Sequence, residues 1–196
     1  MSFNSTVSAL RPHIAFFGRR NAGKSSVVNT VTNQRISVVS DTLGTTTDPV
    51  QKAMELLPLG PVVIIDTPGI DDEGGLGGLR VKKAREILAK TDIAVLVLDG
   101  QEPAGPFEAE LISLFKERGT PYIVAFTKSD LTGLRTGLNE NEIQVSARTG
   151  ENIRELKELI GSLAKREHRE RPLVGDLLED AAEYREILDG DRHVVL

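Results

Sequence analysis

One short run of the sequence has the residue types that bind a phosphate chain. It extends from Gly18 to Ser25 (G-R-R-N-A-G-K-S) and directly follows the apolar run His13 to Phe17. Glycines in such a run let successive backbone N–H groups turn toward an anion, and the following helix N-terminus adds partial positive charge. We predict that Lys24 binds the β- and γ-phosphates of a nucleotide and that Ser25 gives Mg²⁺ one oxygen ligand. A glycine-rich turn that only joins a strand to a helix is the alternative. The loop residues expected at the nucleotide are Gly18, Asn21, Ala22, Gly23, Lys24, Ser25 and Ser26.

A second motif, Asp66 to Gly69 (D-T-P-G), ends the apolar run Val62 to Ile65. Asp66 is therefore expected at the carboxyl edge of a sheet, where its carboxylate can hold a Mg²⁺-bound water. Gly69 lets the backbone approach the γ-phosphate, so this segment is predicted to sense whether that phosphate is present. On its own, D-T-P-G would indicate an ordinary turn.

The polar segment Gly44 to Asp48 (G-T-T-T-D) lies between these two motifs and has no secondary-structure period. We predict that it is a mobile loop in which the hydroxyl of Thr46 reaches Mg²⁺. Thr45 is the competing candidate. A threonine cluster that only begins a strand is the structural alternative.

A third motif, Thr127 to Asp130 (T-K-S-D), follows the apolar run Tyr122 to Phe126 and predicts which base is bound. Asp130 can accept hydrogen bonds from N1–H and the 2-amino group of guanine, and adenine has no such pair of donors on that edge. The stem of Lys128 can lie across the base, and the segment Ser146 to Arg148 can offer backbone N–H groups to the guanine carbonyl oxygen. GTP and GDP are therefore the predicted ligands. The predicted base-site residues are Thr127, Lys128, Asp130, Ser146, Ala147 and Arg148.

The secondary-structure elements must bring these motifs to one edge of the molecule. Short apolar runs alternate with helical stretches, which predicts a three-layer α/β P-loop NTPase fold with a mostly parallel six-stranded sheet and helices on both faces. The second strand has mixed polarity and is the expected sheet edge. The predicted strands are His13–Gly18, Val50–Leu57, Val62–Asp66, Ile93–Asp99, Tyr122–Phe126 and Glu142–Val145. The predicted helices are Lys24–Thr32, Leu79–Ala89, Phe107–Arg118 and Asn152–Arg166.

Composition limits the size and the chemistry of the protein. The chain has 196 residues, of which 39% are hydrophobic, enough for one α/β core and too few for two well-developed domains. Its net charge of -5 argues against a nucleic-acid partner. The absence of cysteine excludes thiolate ligands for zinc or an iron–sulfur cluster in this chain. Without a secretory signal or a bilayer-length apolar run, a cytoplasmic protein without a membrane partner is expected.

The last part of the sequence differs from the rest. We expect residues 1–171 to form the nucleotide-binding domain and residues 172–196 to form a linker and tail. The charge-mixed run Lys165 to Arg171, which ends before Pro172, is interpreted as a linker or a solvated helix end, with RNA binding as the alternative. Gly175 to Leu188 has helical spacing and an apolar side. It is interpreted as a helical tail or the start of a following domain.

In these motifs and their order, the chain resembles the translation-factor-related small GTPases that include Era, Der and the tRNA-modification GTPases. The resemblance implies a Ras-like or Era-like fold and Mg²⁺-dependent hydrolysis of GTP to GDP and phosphate. These families usually carry Asn, which makes a bracing contact, where this chain has Thr127.

A closer resemblance is to HydF, the GTPase that helps to assemble the di-iron active site of [FeFe] hydrogenase. It covers Ser5 to Arg171 and is carried by Phe17 to Ser26, by Gly44 to Val50 with Lys52 to Glu55, and by Gly60 to Gly74. It implies a role in hydrogenase maturation, with other maturation proteins or the hydrogenase as partners. HydF proteins continue into a dimerisation domain and a cysteine-bearing cluster domain, neither of which fits in this chain, so the scaffold function would need those domains.

Slow intrinsic hydrolysis is expected because Ile70 follows Gly69, where many signalling GTPases have a water-orienting glutamine. In related families an asparagine at the position of Asn21 binds K⁺, so the resemblance implies that K⁺ stimulates hydrolysis. The alternative is that Asn21 only braces the loop. Lys24, Thr46, Gly69 and Asn21 are the predicted catalytic residues. Arg19 and Arg20 could stabilise charge in cis, although surface arginines are usually solvated. Asp71, Asp72 and Glu73 could orient water after the loop closes, and a solvated loop is an equal alternative.

Three functions follow from these patterns. The first is a GTP-hydrolysing switch in hydrogenase maturation. The second is an interaction module that is controlled by the bound nucleotide and turns GTP over too slowly for hydrolysis to matter. The third is an RNA-linked GTPase of the Era or tRNA-modification type.

Overall fold

The computed structural model describes residues 11–33, 50–57, 59–67 and 77–170. This part of the chain contains six strands and four helices. The strands are β1 (His13–Phe17), β2 (Val50–Leu56), β3 (Gly60–Asp66), β4 (Ile93–Asp99), β5 (Tyr122–Thr127) and β6 (Glu142–Gln144). The helices are α1 (Lys24–Thr32), α2 (Gly77–Leu88), α3 (Pro106–Arg118) and α4 (Ile153–Glu170). None of these described helices has the length and apolar composition that crossing a lipid bilayer would require.

The strands form one sheet in the order β2-β3-β1-β4-β5-β6. All neighbouring pairs are parallel except β2 and β3, which form an antiparallel hairpin at one edge. In that hairpin Val50 lies opposite Asp66 and Leu56 lies opposite Gly60. The five mutually parallel strands β3, β1, β4, β5 and β6 therefore end at the same edge, where residues that follow them can meet.

Both faces of the sheet are covered, because alternate residues of each parallel strand point to opposite sides. Ile14 and Phe16 of β1 belong to the core under α1 and α4, whereas Ala15 and Phe17 belong to the core under α2 and α3. Helix α4 contributes Ile153, Leu156, Ile160 and Ala164 to the first core. These two cores on either side of one sheet make the three-layer α/β/α fold that the alternation of elements predicts.

The ends of the helices have local causes. Asn33 caps the carboxyl end of helix α1, because its left-handed backbone (φ 52°) lets its N–H reach the carbonyl oxygens of Asn29 and Thr30. Helix α3 begins with Pro106, which fits a first helical position because no helical hydrogen bond needs its missing N–H. Gly119, which has φ 70°, caps the carboxyl end of the same helix.

The predicted elements are all present, and the mixed-polarity second strand is the sheet edge as predicted. Of the two interpretations of Lys165 to Arg171, the helix end applies to most of the run and the linker does not, because α4 continues through Glu170. The run from Lys165 to Glu170 contains neither glycine nor proline, so nothing in it interrupts a helix. The boundary between residues 1–171 and 172–196, and the tail helix Gly175 to Leu188, stay predictions because residues 171–196 lie outside the described part.

Candidate nucleotide site

The loop between β1 and α1 has the backbone of an anion-binding nest. Asn21 (φ 66°) and Gly23 (φ 87°) are both in the left-handed region, which turns neighbouring N–H groups toward one side of the loop. Helix α1 then begins at Lys24 with no acidic residue in its first turn, so its positive end is not neutralised there. Ser25 and Ser26 are at the same end, and Ser26 is exposed. The left-handed loop residues and the free helix end are features that bind phosphate groups in proteins.

The phosphate loop is held at its start and near its end by the strands on which it lies. Gly18 packs so closely on β4 that a Cβ atom there would lie 2.4 Å from the carbonyl oxygen of Val97. The buried hydroxyl of Thr127 lies 2.7 Å from the carbonyl oxygen of Ala22 and 3.1 Å from that of Leu98. Thr127 therefore braces the phosphate loop against β4 and β5. A hydroxyl has one proton, so it donates to one of these two oxygens at a time.

Lys24 and Asp66 lie together, as a shared phosphate and Mg²⁺ site requires. The ammonium Nζ of Lys24 is 3.2 Å from Asp66 Oδ1 and donates a hydrogen bond of 2.6 Å to the carbonyl oxygen of Thr67. The side chains of Lys24 and Asp66 are 11% and 10% exposed, so both charges are largely shielded from solvent. Thr67 is fixed in turn by a 2.6 Å hydrogen bond from its hydroxyl to the carbonyl oxygen of Phe16. The second motif is thereby tied to β1 beside the phosphate loop.

The predicted base-binding residues also converge. The hydroxyl of Ser146, which is fully buried, donates a 2.7 Å hydrogen bond to Asp130 Oδ1. The guanidinium Nε of Arg148 is 3.5 Å from Asp130 Oδ2. The backbone N–H groups of Arg148 and Thr149 both donate to Ser146 Oγ, at 3.2 Å each. This T-K-S-D and S-A-R contact positions the carboxylate that we predict to select guanine.

Helix α1 and the S-A-R segment are joined as well. The hydroxyl of Thr30 lies 3.3 Å from the carbonyl oxygen of Ala147, and it also bonds to the carbonyl oxygen of Ser26 at 2.8 Å. The helix that begins at the phosphate loop thus contacts the segment that is predicted to bind the base.

Lys128 is oriented by an aspartate that the sequence motifs do not contain. Its backbone is left-handed (φ 59°), and its ammonium Nζ forms an ion pair with Asp99 Oδ2 at the end of β4. Burial raises the pKa of Asp99. The hydrogen bonds from Lys128 and from the backbone N–H of Gln101, together with the charge of Lys128, lower this pKa and outweigh the effect of burial. The net result is a pKa below the ordinary value of an aspartate. Asp99 ends an apolar run, which is the only sequence signal that could have suggested it.

Magnesium has oxygen donors available in this site. Asp66 and the hydroxyl of Ser25 belong to the two segments that meet at Lys24, and these donor types are the ones that Mg²⁺ prefers. Over the described ranges no group of three or more His, Asp or Glu side chains could hold a metal ion. A site that shares Mg²⁺ with nucleotide phosphates needs only one or two such protein ligands. The residues present therefore fit the ion.

Some predicted residues cannot be placed. Thr46, its competitor Thr45, and Gly69 lie outside the described residues, and so do the carboxylates from Asp71 to Glu73. Their roles stay predictions. Asn21 is in the phosphate loop and exposed, which is compatible with its predicted contact with K⁺ and also with a bracing role.

A cavity of about 150 Å³ lies beside the phosphate loop, between this loop and the segment that joins β4 to α3. Its lining includes the basic residues Arg19 and Arg20 and the acidic residues Asp99, Glu102 and Glu108. Arg19 forms a two-point ion pair with Glu108, so its guanidinium already has an acidic partner. Sequence reasoning did not identify Glu108, because nothing in the sequence links the first turn of α3 to the phosphate loop.

Comparison with known proteins agrees with this geometry. The family model described as 50S ribosome-binding GTPase matches residues 13–128. The tRNA modification GTPase MnmE of Heliobacterium modesticaldum is 37% identical over 153 residues, which are 73% of this chain and 32% of MnmE. GTPase Der of Xanthomonas axonopodis pv. citri is 29% identical over 177 residues, which are 86% of this chain and 37% of Der. The chain thus spans about a third of the length of these curated relatives.

Solved structures with the same fold include ligand complexes. Era in complex with MgGDPNP and nucleotides 1506–1542 of 16S ribosomal RNA has a TM-score of 0.63 and is 25% identical. The similarity covers 78% of this chain and 56% of that Era chain.

Proposed function

This chain belongs to the 50S ribosome-binding GTPase family, and we propose that within it the chain is the GTPase domain of a HydF-type protein. The activity that the members of this family share is GTP binding and hydrolysis. The proposed role is a switch: GTP and Mg²⁺ order the segments around Thr46 and Gly69, and hydrolysis releases them. In a HydF-type protein this change would control docking of hydrogenase maturation partners or the hydrogenase in the cytoplasm.

One observation supports the HydF-type assignment. The chain combines T-T-T-D-P-V (Thr45 to Val50) with K-A-M-E (Lys52 to Glu55) and G-P-V-V-I-I-D-T-P-G-I-D-D-E-G (Gly60 to Gly74). The second and third stretches form most of the β2–β3 hairpin, whose register brings Val50 opposite Asp66. The HydF-like residues thus lie in and next to the part of the fold that is expected to respond to the γ-phosphate.

The residues of this chain account for the expected chemistry of phosphoryl transfer. That reaction depends on positioning and on stabilisation of developing negative charge more than on covalent catalysis. Lys24 and the N–H groups of the phosphate loop supply charge stabilisation, and Mg²⁺, when bound, adds a divalent positive charge at the phosphates. Asp130 selects guanine through its two acceptor oxygens, and Asp99 orients Lys128 toward the same base. No glutamine follows Gly69, which supports slow turnover that K⁺ at Asn21 would accelerate.

Hydrolysis in two salts tests the enzymatic part of the proposal. We expect single-turnover hydrolysis of GTP by the full chain with Mg²⁺ to be faster in K⁺ than in Na⁺ at equal ionic strength, with Asn21→Ala removing the difference. Lys24→Ala should lower hydrolysis by about 100-fold or more, as loss of a transition-state charge contact does in other enzymes. Equal rates in the two salts would remove the K⁺ assignment. GTP that stays intact in both would favour a nucleotide-gated interaction module.

A domain exchange tests the role in hydrogenase maturation. The GTPase domain of a HydF protein is replaced by residues 1–171 of this chain, and activation of [FeFe] hydrogenase is measured in cells that lack HydF. We expect hydrogenase activity from this chimera and none from the same chimera with Lys24→Ala. A chimera with the GTPase domain of MnmE is the matched control. Equal activation by both domains would show that the HydF-like stretches carry no specificity.

An RNA-linked GTPase is the second candidate. The net charge led us to expect no nucleic-acid partner, whereas the similar protein Era is solved with a 16S ribosomal RNA fragment and MnmE is a tRNA modification GTPase. Binding of tRNA and of a ribosomal RNA fragment, measured at two salt concentrations, separates the candidates. Tight, nucleotide-dependent RNA binding that weakens with salt would favour this second function over hydrogenase maturation.

A further inference from the structure

Glu108, in the first turn of α3, is an acid in a buried position. It is 3% exposed, and a carboxylate in such a place needs partners that compensate for lost hydration. Its Oε1 is 2.5 Å from Nε of Arg19, and its Oε2 is 2.6 Å from Nη2 of the same guanidinium. Oε2 also accepts a 2.7 Å hydrogen bond from the backbone N–H of Gly105. Two parallel contacts from one guanidinium fix both the distance and the plane of the pair.

Arg19 connects this buried acid to the phosphate loop. It directly follows Gly18, and its carbonyl oxygen accepts a 3.3 Å hydrogen bond from the backbone N–H of Ala22. The backbone of Arg19 therefore closes the turn of the loop, and its side chain reaches α3. The Arg19 side chain is 40% exposed, so water could hydrate its guanidinium. Burial of Arg19 therefore does not explain why it pairs with Glu108.

Gly105 provides the space for this contact. A Cβ atom on Gly105 would lie 2.0 Å from Nη2 of Arg19 and 3.2 Å from Oε2 of Glu108. The backbone of Gly105 is extended (φ -103°), so its conformation does not require glycine. The close approach of the guanidinium is what any side chain would obstruct.

We propose that Glu108 is a positioning residue for GTP hydrolysis, which fixes the start of the phosphate loop by holding the Arg19 guanidinium. Thr127 of β5 contacts the loop at Ala22, so the loop is fixed by contacts with two elements, α3 and β5. The same ion pair holds the Arg19 side chain on α3, so Arg19 stabilises the loop and does not contact the nucleotide. This role concerns the GTPase reaction itself and does not depend on the HydF-type assignment.

Glu108→Gln tests the proposal because glutamine keeps the shape of the side chain and removes its charge. In the full chain we expect kcat for GTP to fall roughly tenfold and GDP binding to weaken by a similar factor, since a looser loop presents its N–H groups less accurately to both nucleotides. Arg19→Gln should have the same effect. Because both variants remove one interaction, the double variant should lose no more than either single variant. Arg19→Lys, which keeps the charge, should recover part of the loss.

Glu117→Gln is the matched control. Glu117 also lies on helix α3 and forms a two-point ion pair with Arg85 of α2, at 3.1 and 3.3 Å. This pair is exposed and includes no residue of the phosphate loop. We expect wild-type kcat and GDP affinity from this variant. Wild-type kinetics in folded Glu108→Gln, or losses that add up in the double variant, would overturn the proposal. A lower melting temperature with unchanged kcat would also overturn it, because that result assigns Glu108 a purely structural role.

Gly105→Ala keeps the proposal testable if Glu108→Gln does not fold. This variant retains both charges and forces the guanidinium to move by filling its space. We expect kcat to fall about threefold or more, in proportion to how far the loop is displaced. Gly133→Ala, where a Cβ would meet nothing within 4 Å, is its control. A folded Gly105→Ala protein with wild-type kcat and GDP affinity would contradict the proposal.

Discussion

Asp130, the residue predicted to select guanine, is held by two neighbouring side chains. Ser146 donates to Oδ1 from a fully buried position, and Arg148 lies 3.5 Å from Oδ2. Each carboxylate oxygen has more than one lone pair, so the contact with Ser146 can orient the carboxylate and leave acceptors for the base. The predicted preference for guanine would therefore depend on the two acceptor oxygens of one residue.

Asp130→Asn should change that selectivity. The amide replaces one acceptor by a donor, so we expect GTP affinity to fall about 10- to 100-fold, the scale of a hydrogen bond to a charged group. Xanthosine nucleotide, which presents an acceptor in place of the 2-amino group, should bind relatively better. Titration calorimetry with both nucleotides measures the ratio. Glu140→Gln, a change of the same kind at an exposed position, is the control, and an unchanged ratio in Asp130→Asn would contradict the base assignment.

Asp99 should make part of the folding stability depend on pH. Its pKa is lowered in the folded protein, so the folded state binds its proton less readily than the unfolded chain. Its ionised form therefore stabilises the fold above the ordinary pKa of 3.8, and this contribution is lost as the pH falls toward the lower folded-state value. Denaturant unfolding of the wild type and Asp99→Asn at several pH values measures it. We expect their difference to shrink below about pH 4, and a constant difference would contradict the assignment.

At the residue scale, the sequence predicts which residues of a motif are candidates for ligand binding. It does not predict which residues outside the motif will contact them. Thr127, Lys128 and Asp130 could be identified because their spacing is local. The partners Glu108 and Arg19 are 89 positions apart, and an exposed acid in a first helical turn would look the same in the sequence. Only the fold reveals that this acid is buried.

At the scale of elements, Gly18 determines how closely the phosphate loop approaches β4. Its φ of 150° disfavours any side chain, and a Cβ atom at this position would lie only 2.4 Å from the carbonyl oxygen of Val97. The strand end and the start of the loop can lie on β4 only because this position is glycine.

Gly18→Ala should therefore lower the free energy of unfolding by about 1–3 kcal/mol, because the backbone oxygen of Val97 cannot move away without disturbing β4. Nucleotide affinity should fall as well, since the loop begins at this residue. Chemical denaturation and GDP titration measure the two effects. Gly133→Ala, in open space, should change neither. Equal stability of the Gly18→Ala protein would show that β4 can adapt to the added carbon.

Element types were predictable because each has a clear period, but some ends were not. Helix α1 begins and ends as predicted, since Gly23 and Asn33 mark its limits. Helix α4 extends beyond its predicted end at Arg166 because Lys165 to Glu170 are compatible with a helix, and charge pattern alone does not define where a helix stops. The antiparallel direction of β2 follows from its short connection to β3, across residues 57–59.

At the scale of the whole molecule, two cores on opposite faces of the sheet hold the site in place. The core under α1 and α4 includes Leu156, which is fully buried. It lies far along the chain from the phosphate loop, but α1 belongs to the same core. Stability of this layer and position of the loop are therefore linked.

Leu156→Ala should destabilise the domain by about 2–5 kcal/mol, the range measured for buried leucines that leave a cavity. Leu134, whose residue is 87% exposed, provides the control, and Leu134→Ala should change stability by less than about 0.5 kcal/mol. Urea unfolding followed by circular dichroism measures both. A small loss in Leu156→Ala would mean that α4 contributes less to the core than its burial indicates.

The three-layer architecture was predictable because apolar runs and helical stretches alternate along the chain. The order of strands was not, apart from the expected edge, since the sequence contains no direct record of which strands become neighbours. The convergence of Gly18 to Ser25 with Asp66 and Asp130 follows once the parallel strands end at one edge.

The pairing of Val50 with Asp66 has a consequence for signalling through the domain. The segment that carries Thr46 enters the sheet at the first of these residues, and the segment that carries Gly69 leaves it just after the second. Both segments are therefore attached to the sheet at the same residue pair of the antiparallel strands β2 and β3. The residues before Val50 and those after Asp66 are thus attached to the sheet at paired positions, so a backbone shift at this pair would move both points of attachment together.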